Sequence, residues 1–307
     1  MDLSNISITL LLASLMVAST PILLAAIGEL VVERSGVLNL GVEGMMITGA
    51  VVGFIAGYHA ASPLAGFVAA AAGGAALALL FGVLTQVLLS NQVATGLALT
   101  IFGAGLASLL GSGYVGIRAP VLPRLDIPLL SDLPFFGPVL FRHDIVVYLA
   151  LALALGVWWM LRHSRAGLIL RAVGESHDAA HALGYRVVRI RLLAILFGGA
   201  CAGMGGAYFS LVRVPQWTDG VTAGTGWIAL AIVVFASWRP GRLVAGAYLF
   251  GGIGVLQLNL QAARVPVPVE VLSMSPYLAT IAALVILSRG KATAAPAALG
   301  QPFHASR

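Results

Sequence analysis

The sequence predicts an all-α fold, a polytopic transmembrane helical bundle of about nine spans. Three observations predict it. Hydrophobic residues make up 60% of the chain and charged residues 9%, whereas soluble domains carry about 25% charge. The mean hydropathy is +1.00. Several apolar runs exceed the roughly 20 residues with which a helix crosses a bilayer, and a membrane β-barrel would show short alternating segments instead.

The runs lie at about 6–27, 37–58, 63–87, 93–113, 144–161, 192–212, 226–237, 243–259 and 271–288. The first follows Asp2, has no basic flank and is followed by no small-residue cleavage site, so it reads as a retained span. The second holds Glu43 among Gly36, Gly41 and Gly44. Beyond the fourth, "GSGYVG" at 111–116 fits G-x-G-x-x-G but lacks a βαβ context, and reads as a glycine-rich helix end. Residues 114–143 carry five prolines and are expected to form a re-entrant or cap structure. The sixth run contains "FGGACAGMGGAYFS", with Gly199 and Gly203 at the spacing that lets membrane helices approach closely. Its Cys201 is the chain's one cysteine, which excludes an internal disulfide and reads as a small packing residue. The seventh run is short and ends in a Trp-Arg-Pro-Gly turn, and broken spans often line sites in transporters. Residues 1–290 read as a single transmembrane domain, and 291–307, rich in Ala and Pro, as a flexible cytoplasmic tail.

Net charge is +6, and 16 of the 17 basic residues are arginine. They sit in loops, which points to membrane orientation rather than nucleic acid. With 162–191 in the cytoplasm, nine spans place twelve basic residues inside and five outside. The expected orientation is therefore N-terminus out and C-terminus in. Trp158, Trp159 and Trp238 then fall near the cytoplasmic interface.

Two chemistries are disfavoured. A phosphate-binding loop needs Gly-Lys-Ser/Thr, and the one lysine, Lys291, is followed by Ala292. "HDAAH" sets His177 and His181 one turn apart, a spacing that suits zinc, but no third ligand is evident and Arg171 and Arg186 flank it. It reads as an exposed polar helix, and no metal is expected.

"RHSRAGLILRAVGESHDAAHALGYRVVRIR", residues 162–191, is the most informative loop. Ser176 is placed to cap a helix and Gly184 to end it. A short helix with arginine-rich arms, presented to the cytoplasm, is a docking surface. Its "RAVGESHDAAHALG" resembles the cytoplasmic coupling loop of ABC importer permeases of the branched-chain amino acid, simple-sugar and nucleoside superfamily. "GVLNLGVEGMMITGA" at 36–50 and "TAGTGWIALAIVVFASWRPGRLVAGAYLFGGIGVLQLNLQ" at 222–261 resemble two further blocks of the same group, in the same order and spacing. The wording is most similar to the shorter permease of purine nucleoside importers. "FASWRPGR" departs from it, since relatives often carry Gly-Lys where Ala236-Ser237 stand.

The resemblance implies one permease subunit of an ATP-driven importer in the bacterial inner membrane. It implies pairing with a homologous permease, a longer relative in a heterodimer, and an extracytoplasmic substrate-binding lipoprotein that docks near 114–143 and 212–225. It also implies a cytoplasmic ABC ATPase that grips 175–184, with Arg171, Glu175, Ser176, Asp178, Ala179, Ala182, Leu183 and Gly184 as coupling residues. ATP and Mg would be bound by the partner, and this chain would carry no cofactor and no catalytic residue. An intramembrane charge is costly and faces a partner or cavity, so Glu43, with Asn39 four residues before it on one helix face, is expected to line or gate the translocation route. The alternative is a structural hydrogen bond between spans. Asn91, Gln92, Thr95, Thr100, Gln257 and Asn259 are further pathway candidates, and Trp227 a stacking surface. Glu33 and Arg34 are expected to face water or headgroups, with a brace against the coupling helix as the alternative. Competing readings are a simple-sugar ABC permease, a proton-coupled secondary transporter using Glu43, and a membrane enzyme using the His177–His181 pair.

Overall fold

The computed structural model describes residues 8–126, 128, 130–263 and 295–304, with scattered positions between 267 and 285. Among the described residues the fold is all-α: α1 (Ile8–Arg34), α2 (Val42–His59), α3 (Pro63–Gly82), α4 (Gln92–Gly111), α5 (Ile145–His163), α6 (Arg165–Glu175), α7 (His177–Ala182), α8 (Val187–Tyr208), α9 (Thr225–Phe235) and α10 (Pro240–Ala262). No strand forms among them; three isolated bridges tie the loops.

Among the described residues, six helices are long and apolar enough to cross a membrane: α1, α3 with its continuation to Val87, α4 to Tyr114, α5, α8 to Arg213, and α10. Nine spans were expected. The second, α2, has 18 residues but carries Glu43, His59 and four glycines, and α9 has only 11 residues. The ninth predicted span, 271–288, lies largely outside the described residues.

α1 runs through the middle of the bundle, with nearly every residue from Ala18 to Glu33 buried. It packs on α8, α10, α9 and α5. Pro21 removes one backbone donor within it. Just before, Ser19 and Thr20 turn their hydroxyls back to the carbonyls of Leu15 and Met16, both at 2.8 Å, so neither buried hydroxyl is left unpaired.

α2, α3 and α8 pack through glycine and alanine. A Cβ at Gly203 would collide with the backbone of Ala70 on α3, and one at Gly49 with the backbone of Gly203. Gly199 sits as closely against α3, where a Cβ would strike Ala78. The Gly199–Gly203 pair thus serves packing inside the chain. Cys201 is buried in the same helix.

Five helices start on a local side-chain cap, at Ser62, Asn91, Asp144, Ser164 and Ser176. Asp144 does more: its Oδ2 also accepts from the Tyr208 hydroxyl at 2.7 Å, tying the start of α5 to the end of α8. The proline-rich segment 114–143 pairs in part with 215–217, through Ala119 N–H to Pro215 O at 3.0 Å and Gly116 N–H to Trp217 O at 3.4 Å. Trp217 is fully buried beneath this lid, where Gly111 leaves no room for a Cβ.

The loop 162–191 holds two helices, α6 and α7, rather than one. Ser176 ends the first and caps the second, accepting from Ala179 N–H at 3.3 Å, and Gly184 closes α7 at φ 88°. Part of the presumed flexible tail is packed: in 295–304, Ala298 and Phe303 are buried against this loop. The apolar Phe303 has an aromatic pocket to enter, which composition does not reveal.

Candidate functional site

α1 ends at Arg34 and α2 does not begin until Val42, so residues 35–41 link them as non-helical backbone. Gly36 adopts φ 88°, a left-handed conformation open to glycine, and breaks the helix there. Non-helical backbone at membrane depth is tolerated where protein satisfies its polar groups. Here three elements do so. Gln92 Oε1 of α4 accepts from Leu38 N–H at 2.8 Å, and Thr100 of α4 donates to Leu40 O at 3.0 Å. Arg191 Nε of α8 donates to Ser35 O at 3.2 Å. The third is the C-terminal segment, whose Gly300 N–H donates to Gly36 O at 3.1 Å. Asn39 Oδ1 accepts from Gly41 N–H at 3.0 Å, within the segment itself.

Asn39 and Glu43 were expected on one helix face. α2 does not begin until Val42, which leaves Asn39 outside it, and the two side chains part. Asn39, fully buried, donates to Glu29 Oε2 at 3.1 Å on α1. Glu43, half-buried, reaches α9, where its Oε1 accepts from Thr222 Oγ1 at 2.5 Å and Gly224 N–H at 3.0 Å, and its Oε2 from Gly226 N–H at 2.6 Å. α9 has no side-chain cap of its own, because Gly224 stands at its N-cap with φ 79°. A carboxylate from α2 therefore caps α9, satisfying orphan N–H groups and complementing the positive end of the helix.

Glu33 does not face water, and Arg34 is half-buried. Glu33 is 1% exposed and accepts from Trp238 Nε1 at 2.5 Å. Arg34 donates to Trp238 O, Nη2 at 2.7 Å and Nε at 3.1 Å. Both grip the turn between α9 and α10, where Ser237 and Trp238 hold φ 49° and 54°. Two successive non-glycine residues there cost about 1–3 kcal/mol each, and the end of α1 holds them. Trp238 is accordingly buried, whereas Trp158 and Trp159 are exposed. Arg34, Arg162, Arg171, Arg239 and Arg242 line one cleft of about 530 Å³ beside Trp158 and Trp238.

The other pathway candidates separate into groups. Gln92 and Thr100 meet segment 35–41, as described. Asn91 is the exposed cap of α4, and Thr95 bonds Ser90 at 2.8 Å at the same helix start. Trp227 lies on α9, 37% exposed. Gln257 and Asn259 are half-buried near the far end of α10, and Asn259 donates to Val255 O at 2.8 Å. Asn259 borders a second cavity of about 520 Å³, with Arg124, Arg142, His143 and Arg213. Sequence reasoning missed Glu29 and Trp238 as members of the polar core, and Thr222 as partner to Glu43. The available signal was an uncapped helix start at Gly224 together with an unpaired acid in α2. Two buried atoms of this core, Glu29 Oε1 and Gln92 Nε2, have no hydrogen-bond partner among the described residues.

On α7, Asp178, Ala179 and Ala182 are exposed, as are Glu175 and Ser176 at its entry and Leu183 and Gly184 at its exit, and Leu183 is 77% exposed. Arg171 is half-buried on α6. The helix was expected to be exposed and polar, yet His177 is buried, its Nδ1 3.4 Å from Arg191 Nη2. Burial, and then the nearby Arg191 charge, lower the His177 pKa, which Asp178 partly opposes. Both His177 and His181 rings stand edge-on to Phe303, at 5.4 and 5.2 Å. No cluster of three metal-ligating side chains forms among the described residues.

Residues 11–288 match the family described as branched-chain amino acid transport system / permease component. The chain belongs to this family. It is 41% identical to a putative glucose ABC transporter permease of Haloferax volcanii, over 94% of this chain and 95% of the relative. It is 31% identical to a guanosine ABC transporter permease of Bacillus subtilis over 99% and 98%. To a nucleoside ABC transporter permease of Lactococcus lactis it is 30% identical over 94% and 95%. No solved structure matches. The chain is a multi-pass membrane permease of the sugar and nucleoside ABC type.

Proposed function

We propose that this chain is one of two permease subunits in an ATP-driven importer of a nucleoside or a simple sugar, in the inner membrane of a bacterial cell. The observation that carries the reading is similarity over nearly the whole length of both chains to permeases named for such solutes. A nucleoside is supported by two of these relatives. A simple sugar is the second reading, favoured by the 41% identity to a putative glucose permease. Both solutes are polyhydroxylated and call for amide and hydroxyl partners along the route.

In this reading the arginine-lined end of the bundle faces the cytoplasm, with the N-terminus outside, the C-terminus inside and nine spans in all. An ABC ATPase, carrying ATP and Mg, engages 175–184 through the exposed Leu183 and its neighbours. The proline-rich lid at 114–143 and the loop at 212–225 receive a substrate-binding lipoprotein. The partner permease is a longer relative, and the route runs between the two chains. Glu43 and segment 35–41 act as the gate: they join α1, α2, α4 and α9 through hydrogen bonds that can be exchanged, where the glycine-packed seam cannot shift. The three bonds into Glu43 give its carboxylate a standing task at α9, which favours this reading over a proton carrier.

Gentle detergent extraction followed by mass spectrometry tests the assembly. Co-purification of an ABC ATPase and a second permease is expected. Recovery of this chain alone, with a known ABC complex intact in the same extract, would return the reading to a secondary transporter. Binding of guanosine against glucose by the co-purified lipoprotein then decides the substrate.

A further inference from the structure

Residues 295–304 close a connection between α7 and the break before α2. Ala298 N–H donates to Gly174 O, in the last turn of α6, at 2.9 Å. Gly300 N–H donates to Gly36 O, and Gln301 O accepts from Arg191 Nη1 at 3.1 Å. Phe303, 5% exposed, lies against the rings of His177 and His181. Arg191 completes the connection: fully buried, it also donates to Ser35 O and to Gln86 Oε1, at 3.2 and 3.3 Å, and meets His177.

α7 has six residues, too few for a helix that is stable without support. A force on it reaches the bundle only as far as its packing is rigid. Its two histidine rings are braced by one aromatic plate, and the segment of chain that carries the plate bonds directly to Gly36. We propose that the C-terminal segment is a coupling clasp, with Phe303 as its positioning residue, that carries displacement of α7 to segment 35–41. The proposal rests on the reading that the ATPase engages α7. It assigns the clasp a task in transmission and none in ATPase docking.

The test uses the full complex, purified with its co-purifying ATPase and placed in nanodiscs, with Leu38→Cys as reporter. Leu38 is half-buried in segment 35–41, and the native Cys201 is buried. Maleimide labelling is timed with and without ATP plus vanadate. With the clasp intact, nucleotide is expected to change the rate by about tenfold. With Phe303→Ala, or with the chain ended after residue 294, that response is expected to vanish while the ATPase stays bound. Phe303→Leu, which keeps apolar volume, is expected to retain a partial response, and it carries the test if Phe303→Ala does not accumulate. An equal nucleotide response with and without the clasp overturns the proposal. So does a reporter that ignores nucleotide in the intact complex. Loss of the ATPase from the variants alone would make the clasp a docking surface and overturn it as well. Absence of the ATPase from the intact complex would instead remove the reading beneath it.

Discussion

Two regions at the centre of this molecule hold helices together by opposite means. Where α2, α3 and α8 meet, Gly49, Gly74, Gly199 and Gly203 let backbones touch, and there is no space for another atom. At residues 35–41, one short stretch of backbone is suspended by hydrogen bonds from α4, α8 and the C-terminal segment. Close packing in a membrane is held by dispersion along the whole contact, and it tolerates no displacement. Hydrogen bonds can be exchanged one at a time. The difference separates a rigid frame from the part suited to change shape, and it places Glu43 at the boundary between them.

The largest effect is expected from breaking the frame. Gly203→Val drives a side chain into the Ala70 backbone, with a loss of about 3 kcal/mol. Fluorescence-detected size exclusion and thermal melting in detergent should show little folded protein. Near-normal melting would mean that α3 and α8 can part, and the frame is not rigid.

Glu43→Gln probes the boundary. An amide cannot present an anion to Thr222, Gly224 and Gly226, and its NH₂ meets donors. A loss of about 1.5–3 kcal/mol is expected, together with reduced uptake of the transported solute. Retention of both stability and uptake would mean that the start of α9 is held without the carboxylate.

Thr100→Val sharpens the contrast, since it removes one suspending bond and keeps the volume. About 1 kcal/mol of stability is expected to go, read as a small fall in the melting midpoint. Loss as large as that of Gly203→Val would show that the suspended segment is part of the frame.

The smallest effect comes from pH. His177 is held below the ordinary histidine value by burial and by Arg191. Its neutral form therefore contributes stability fully above about pH 6.5, and that contribution declines as pH falls toward the lower folded-state value. Melting midpoints taken from about pH 8 down to pH 5 should drop more for the native chain than for His177→Gln. Equal slopes would show that protonating His177 does not disturb Arg191.

Much of the outline was legible in residues alone. Apolar runs marked α1, α3, α4, α5, α8 and α10, because a helix crossing lipid must be apolar along its length whatever its neighbours are. Ser176 and Gly184 marked α7 because a cap is a local interaction. The Gly199–Gly203 spacing marked a close approach. The site was legible only in part. Glu43 drew notice because a charge inside a run has to find a partner, but its partner lies about 180 residues away in sequence, at the start of a helix whose own cap position is glycine. Asn39 was placed on the wrong face, since the i, i+4 rule presumes one helix through both residues and α2 does not begin until Val42.

Composition, spacing and caps act within a few residues, so they fixed membrane insertion, the long helices and the family blocks. Which buried polar atoms meet was settled when the helices packed. Glu33 with Trp238, Asn39 with Glu29, Glu43 with α9 and Phe303 with the two histidines are contacts between distant parts of the chain. Each satisfies a group that its own neighbours leave unpaired or exposed, and a buried polar group or aromatic ring finds its complement in space rather than in sequence.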